Sequence, residues 1–174
     1  LPLDDLASQE YMDALYPVVK DALTVNGTMY AAARDVTPKV MYLNTKMFAD
    51  AGIEIPSDDW TMEEFTEIAQ QLTTGSGADA QWGYYWANYM DQTYSMIAAF
   101  GGKIYSEDGK SSVLSTDENT KQAVQFMYDL YNTYKVCPSD RQAKQYGENE
   151  FSAFMANKVA MQIGALSTAS TFDA

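Results

Sequence analysis

Residues 28–60, TMYAAARDVTPKVMYLNTKMFADAGIEIPSDDW, constrain the fold more than any other stretch. They open as a strand, change character at Arg34-Asp35, and become strand again around Val40-Met41-Tyr42-Leu43. A short helix from Thr45 to Ala51 follows. Gly52 stops it, because glycine takes the left-handed conformation at a helix end without a Cβ penalty. Strand and helix alternate here and again downstream, which is the pattern of an α/β domain.

At 174 residues the chain is long enough for one domain with a real core. Its 47% hydrophobic content excludes general disorder. A net charge of −13 repels nucleic acid. The absence of histidine removes Ser-His-Asp and Cys-His catalysis and the commonest imidazole metal ligand. The one cysteine, Cys137 beside Pro138, permits no internal disulfide and reads as a small apolar residue at a helix end. There is no Asp-rich calcium loop, so neither a metal nor a cofactor is expected. No apolar run reaches the roughly 18 residues that a bilayer span requires. Asp4 and Asp5 follow Leu1 too closely for a signal peptide to begin there.

Residues 1–22 read as helical and acidic, with Leu3, Leu6, Tyr11 and Leu15 in a loose stripe interrupted at Pro17. Asn26-Gly27 predicts a tight hairpin turn. With Thr28 the pair also fits an N-glycosylation acceptor, and the turn accounts for both residues. Thr61 with Glu64 fits a capping box, and Trp60 with Phe65 a hydrophobic staple. The helix they open has Met62, Phe65, Ile68, Ala69 and Leu72 on one face. Residues 73–77 form a polar loop, too short and lysine-poor to cradle phosphate.

The densest aromatic cluster is QWGYYWANYM, residues 81–90, where strand geometry sends successive rings to opposite faces. A helix over 91–100 places Tyr94, Ile97 and Ala98 on one side and closes at Gly101-Gly102. A hairpin about Asp108-Gly109 comes next. Ser115 with Glu118 then offers a capping box for a helix to about Lys135, striped by Ala123, Val124, Met127, Leu130, Tyr131 and Tyr134. A last helix over 149–157 leads to an apolar strand over 159–163, ending at Gly164.

Taken in order, Arg34-Asp35, Tyr42-Leu43-Asn44, Phe48, Ala51-Gly52-Ile53, Pro56 and Trp60-Thr61 resemble the hinge-crossing segment of bacterial extracellular solute-binding proteins, the sugar-capturing receptors of ABC transporters. Trp82-Gly83, AAFGG at 98–102 and FMANKVAMQIG at 154–164 are similar to later motifs of that family. The resemblance implies an α/β fold, one lobe of a two-lobed periplasmic-binding-protein-like fold, with a mixed sheet flanked by helices. Residues 1–36 would be the tail of the first lobe and the start of the crossing, 37–163 the second lobe, and 164–174 the return toward the hinge. It also implies a chain that begins mid-protein, lacking the opening strands of lobe one and the C-terminal helices. The expected role is a noncatalytic receptor, extracellular or periplasmic and lipid-anchored through a segment outside this sequence, that delivers a neutral mono- or oligosaccharide to ABC permease subunits. Apolar surface left uncovered near residues 1–30 would favour a homo-oligomer.

A sugar offers hydroxyls to charged and amide groups, and flat C–H faces to aromatic rings. On that chemistry the resemblance implies ligand contacts from Arg34 and Asp35 at the crossing, from Trp86, Asn88, Tyr89 and Asp91 after the aromatic strand, and from Gly164 and Ala165. One branch of the family carries an aromatic residue shortly after that glycine, whereas here Ala165-Leu166-Ser167 follows, so stacking from this loop is in doubt. The bland readings stand beside these. Tyrosine and tryptophan inside α/β domains are mostly core, Tyr42 above all, and Arg34-Asp35 also reads as a local ion pair. Two other classes remain open. A glycoside hydrolase needs two carboxylates, and Asp35 with Asp91 is the pair to nominate; the other class is a structural adhesin or interaction module.

Overall fold

The computed structural model describes residues 1–87 and 89–172, and the chain divides after Pro38 into two compact units. In the first, helix α1 (Gln9–Ala14) is capped by Ser8, whose hydroxyl accepts the Tyr11 N–H. Helix α2 (Pro17–Ala22) begins at the proline itself. The break expected at Pro17 is therefore also a restart, since the first helical position has no use for an N–H. Strands β1 (Thr24–Val25) and β2 (Thr28–Met29) pair antiparallel through Asn26 at φ 51° and Gly27 at φ 80°, as the Asn-Gly turn requires. The Leu3 N–H donates to the Met29 carbonyl at 2.8 Å, and the Tyr11 hydroxyl accepts the Ala33 N–H at 2.7 Å. Hydrogen bonds of this kind, to backbone and side chain, hold a unit in which Met29 is the buried apolar residue.

The second unit is built on a mixed sheet of β3 (Lys39–Leu43), β4 (Trp82–Tyr85) and β5 (Val159–Ala165). β5 lies in the middle, antiparallel to β3 and parallel to β4. Its apolar run explains the place: Val159, Ala160 and Met161 are covered on both faces. One face carries α3 (Thr45–Ala51), α4 (Met62–Leu72), α5 (Met90–Ala99) and α6 (Glu118–Asn132), packed through Phe48, Phe65, Tyr84, Ile97, Met127 and Leu130. A smaller aromatic cluster of Tyr42, Tyr85, Phe151, Phe154 and Phe172 involves α7 (Asp140–Ala143) and α8 (Ser152–Met155). The alternation of a strand thus separates Tyr84 from Tyr85 into two clusters.

Local rules account for most helix ends. Asn44 caps α3, and Gly52 closes it at φ 70°. Thr61 and Glu64 make both halves of the capping box, at 3.1 and 2.7 Å, and the Trp60 and Phe65 rings meet edge-on at 5.6 Å. Helix α6 departs from expectation. Its cap is Asp117, whose carboxylate accepts the Thr120 N–H at 2.8 Å, while Ser115 is taken into the turn before it. Asp117→Ala is expected to lower the thermal midpoint by roughly 3 °C, with Asp117→Asn retaining most of it and Ser115→Ala changing nothing. A melting curve in which Ser115→Ala has the larger effect reverses the assignment.

Two stripes are also rotated from their expected positions. Helix α5 buries Gln92, Met96 and Ile97 and leaves Tyr94 and Ala98 outside, because Gln92 is bonded to the backbone of β5. Helix α6 buries Thr120, Ala123, Met127 and Leu130, and Val124 stands exposed on its flank. The last helix is only the single turn of α8, led in by the Asn149 side chain, which accepts the Phe151 N–H at 2.8 Å.

Candidate functional site

Polar residues gather where β4 and β5 end and β3 begins. This is the carboxyl end of the parallel pair, where open α/β sheets hold small ligands. Lys39 opens β3 opposite Ala165 of β5, and its ammonium pairs with the Asp91 carboxylate in the first turn of α5. The hydrogen bond from Lys39 holds the Asp91 carboxyl below its usual 3.8. The pair is partly open to solvent, so its worth lies in positioning more than in stability. Tyr89 stands just before the same helix, its side chain making no capping bond, and is 52% exposed. Glu150, ahead of α8, is half-buried, and burial raises its carboxyl above the usual 4.5 against the pull of Lys39. Burial also pushes the Tyr85 hydroxyl up to about 12, helped by Asp140, whose carboxylate accepts from it at 3.4 Å.

On the far side of α5 lies a groove of about 770 Å³ between α5, α6 and the start of α7. It is lined by Trp86, Thr93, Val124, Met127, Tyr128, Tyr131, Asn132, Ser139, Asp140 and Arg141. The Tyr131 hydroxyl donates to the Trp86 carbonyl, and burial raises its pKa. The Trp86 indole N–H is buried without a partner among the described residues. Cys137 lies close by in the core, where burial pushes its thiol up to about 12, the environment of an inert structural cysteine.

The residues expected at the site fall into separate groups. Tyr89, Asp91 and Ala165 come to the polar end of the sheet, and Trp86 faces the groove. Gly164 is buried, with the Phe151 ring where a Cβ would stand; its role in this unit is close packing, and the expectation of a ligand contact passes to Ala165. Arg34 and Asp35 belong to the first unit and pair with each other at 2.7 Å, 92% and 59% exposed, which is the local ion pair of the bland reading. Asn88 lies outside the described residues. Tyr42 is on the core side, with its hydroxyl donating to the Ala165 carbonyl at 2.7 Å. Sequence reasoning missed Lys39, Glu150, Gln92 and Gln162. Gln162 alone left a signal, as the polar residue inside the apolar run of β5.

A mixed α/β unit with charged and ring-bearing side chains at the carboxyl ends of its strands has the form of a ligand-binding lobe. Residues 1–172 match the family described as bacterial extracellular solute-binding protein, and the chain belongs to it. A mannitol-binding protein of Pseudomonas aeruginosa is 25% identical over 171 residues, covering 94% of this chain and 37% of the relative. The structure of an ABC substrate-binding protein from Listeria monocytogenes in complex with cycloalternan superposes with a TM-score of 0.81 at 23% identity, covering 99% of this chain and 44% of that one. A solute-binding protein from Agrobacterium vitis with bound D-mannitol is 28% identical, with a TM-score of 0.68 and coverage of 98% and 41%. The chain thus spans less than half the length of these relatives, which is one lobe of their two-lobed, periplasmic-binding-protein-like fold. Among the described residues no helix is long and apolar enough to cross a membrane.

Proposed function

We propose that this chain supplies part of the binding cleft of an extracellular receptor for a neutral polyol or sugar, which works with ABC permease subunits and leaves its ligand unchanged. The observation that carries this reading is the gathering of Lys39, Tyr89, Asp91 and Ala165 at the carboxyl end of the parallel strands, in a family named for solute binding. Trp86 with its groove, and Arg34 and Asp35 on the other unit, remain candidate contacts of the complete receptor. A lipid anchor belongs to the same proposal.

Binding by this chain alone should be weak. Part of a cleft lacks the hydrogen bonds of its partner lobe, and losing even three at about 1 kcal/mol each costs roughly a hundredfold in affinity. Nuclear magnetic resonance titration with D-mannitol and with maltose is expected to give millimolar dissociation constants. No shifted resonance with either ligand at any attainable concentration would overturn the reading. Leu1, Leu6, Tyr16 and Val18 are exposed on the first unit, the surface from which self-association is proposed, and light scattering at the titration concentration reads it.

The hydrolase reading nominates Asp35 with Asp91, and Asp35 is exposed and paired with Arg34 in the first unit. Incubation with aryl glycosides and oligosaccharides separates the two classes: a receptor returns them intact, and release of the aglycone makes the protein an enzyme.

A further inference from the structure

A cavity at the rim of the core has no part in the sugar reading. It has a volume of about 300 Å³, between the start of α4, the end of α5 and the second half of α6, and Met62, Glu63, Glu67, Phe100, Phe126 and Tyr134 line it. Asp91 is in the first turn of α5 and Phe100 just past its last. The helix between them spans about 15 Å, so the cavity is well away from the polar end of the sheet.

One wall of the cavity is aromatic. Phe126 meets Phe100 at 5.3 Å with the ring planes 47° apart, and Tyr134 at 6.2 Å with the planes 56° apart. Rings tilted by these angles do not cover one another's faces as a stack would, and all three are only half-buried. The face of an aromatic ring is the negative part of its quadrupole and attracts a cation.

The other wall is acidic. Neither Glu63 nor Glu67 has an ion pair or a side-chain hydrogen bond among the described residues, whereas Glu64 between them is taken up by the capping box. Glu63 stands in the first turn of α4, where a helix favours an anion whatever lies beside it. Glu67 has no such reason. It repeats the charge at i,i+4, which is unfavourable in a helix by itself. Two unpaired carboxylates facing the same space as three ring faces complement a positive charge.

Hydration decides which cation. A metal ion needs several oxygen ligands, and the described residues hold no group of three or more acidic, cysteine or histidine side chains placed to take one. A primary ammonium is strongly hydrated and asks for acceptors on each N–H. A quaternary ammonium has methyl groups in place of those donors, packs them against rings, and needs carboxylates only to balance its charge.

We propose that this cavity is a low-affinity site for a small quaternary ammonium cation, with Phe100, Phe126 and Tyr134 holding its methyl groups and Glu63 and Glu67 balancing its charge. The site is separate from the polar end of the sheet and stands or falls without the sugar reading.

The test is a nuclear magnetic resonance titration of the whole chain with choline chloride. Two controls accompany it, sodium chloride at the same concentration and dimethylbutanol, the uncharged carbon isostere of choline. Choline should shift the Met62 methyl and the ring resonances of Phe100, Phe126 and Tyr134, and dimethylbutanol should bind at least about threefold more weakly. Tyr134→Leu and Glu67→Gln should each weaken choline binding about threefold, and Tyr134→Phe, which keeps the ring face, should leave it unchanged. Amide spectra report that each variant is folded. Equal binding of dimethylbutanol makes the cavity merely apolar, and equal shifts with sodium chloride reduce the effect to screening of the two carboxylates. Either result overturns the proposal, as do choline shifts at other residues alone or no shifts at all.

Discussion

Gly83→Ala is expected to cost about 3 kcal/mol or more, the upper end for overpacking, and Gly83→Val to leave no folded second unit. A Cβ at this position would stand 1.9 Å from the Ala69 carbonyl oxygen and 2.5 Å from its carbon. Those are backbone atoms inside α4, so no side chain can swing aside to relieve the contact. The Thr73 hydroxyl adds to the constraint: it donates to the same Ala69 oxygen at 2.7 Å and accepts the Gly83 N–H at 2.9 Å. Strand and helix are therefore pinned at the distance that the missing side chain allows. Domains of this size hold only about 5–15 kcal/mol in total, so the loss is large. Gly109→Ala is the control: open space surrounds it, so it should lose only the roughly 1–2 kcal/mol of left-handed backbone strain that its φ of +68° imposes on an alanine. Urea denaturation decides between them, and a Gly83→Ala midpoint no lower than that of Gly109→Ala removes the close approach as a cause.

Features set by neighbours in the chain were legible in the sequence. Asn26-Gly27 makes its turn, the helix from Thr45 to Ala51 is met residue for residue, and the Thr61–Glu64 box forms with both halves. Each depends on contacts within a few residues, where spacing determines geometry. The order of such pieces was enough to suggest the family. What the chain does across longer separations was not legible. Tyr94 and Val124 fit their stripes by period, yet the buried arcs of α5 and α6 are chosen by what lies across from them, Gln92 on β5 in one case. Asp117 and Ser115 are both good caps, and the choice goes to the residue whose carboxylate also receives the Lys103 N–H at 3.3 Å.

The candidate site was half legible for the same reason. Tyr89 and Asp91 follow an aromatic strand and attract attention locally, whereas Lys39 becomes interesting only when β3 is laid against the end of β5 and its ammonium meets Asp91. Gly164 shows the converse. The resemblance implied a ligand contact there together with Ala165, and within the fold it is the Phe151 ring that stands against this glycine.

That contact yields the second large effect. Phe151→Ala is expected to destabilise the chain by about 3–5 kcal/mol. Its ring is fully buried and meets Tyr42 at 5.6 Å, Phe154 at 6.4 Å and Phe172 at 5.4 Å, all near edge-on, so the substitution leaves a cavity and removes three ring contacts. The cavity opens beside Gly164, where a Cβ would lie 2.3 Å from the Phe151 Cζ and 3.1 Å from the Tyr42 ring. Gly164→Ala should therefore be destabilising by itself, by about 1–3 kcal/mol. In the Phe151→Ala background the new methyl enters emptied space, and the two losses should fall short of their sum by about 1 kcal/mol or more. Urea titrations of the wild-type chain, both single variants and the double variant close the cycle. Losses that add within about 0.5 kcal/mol would mean that Gly164 and Phe151 do not share this space, and that the glycine is required for some other reason.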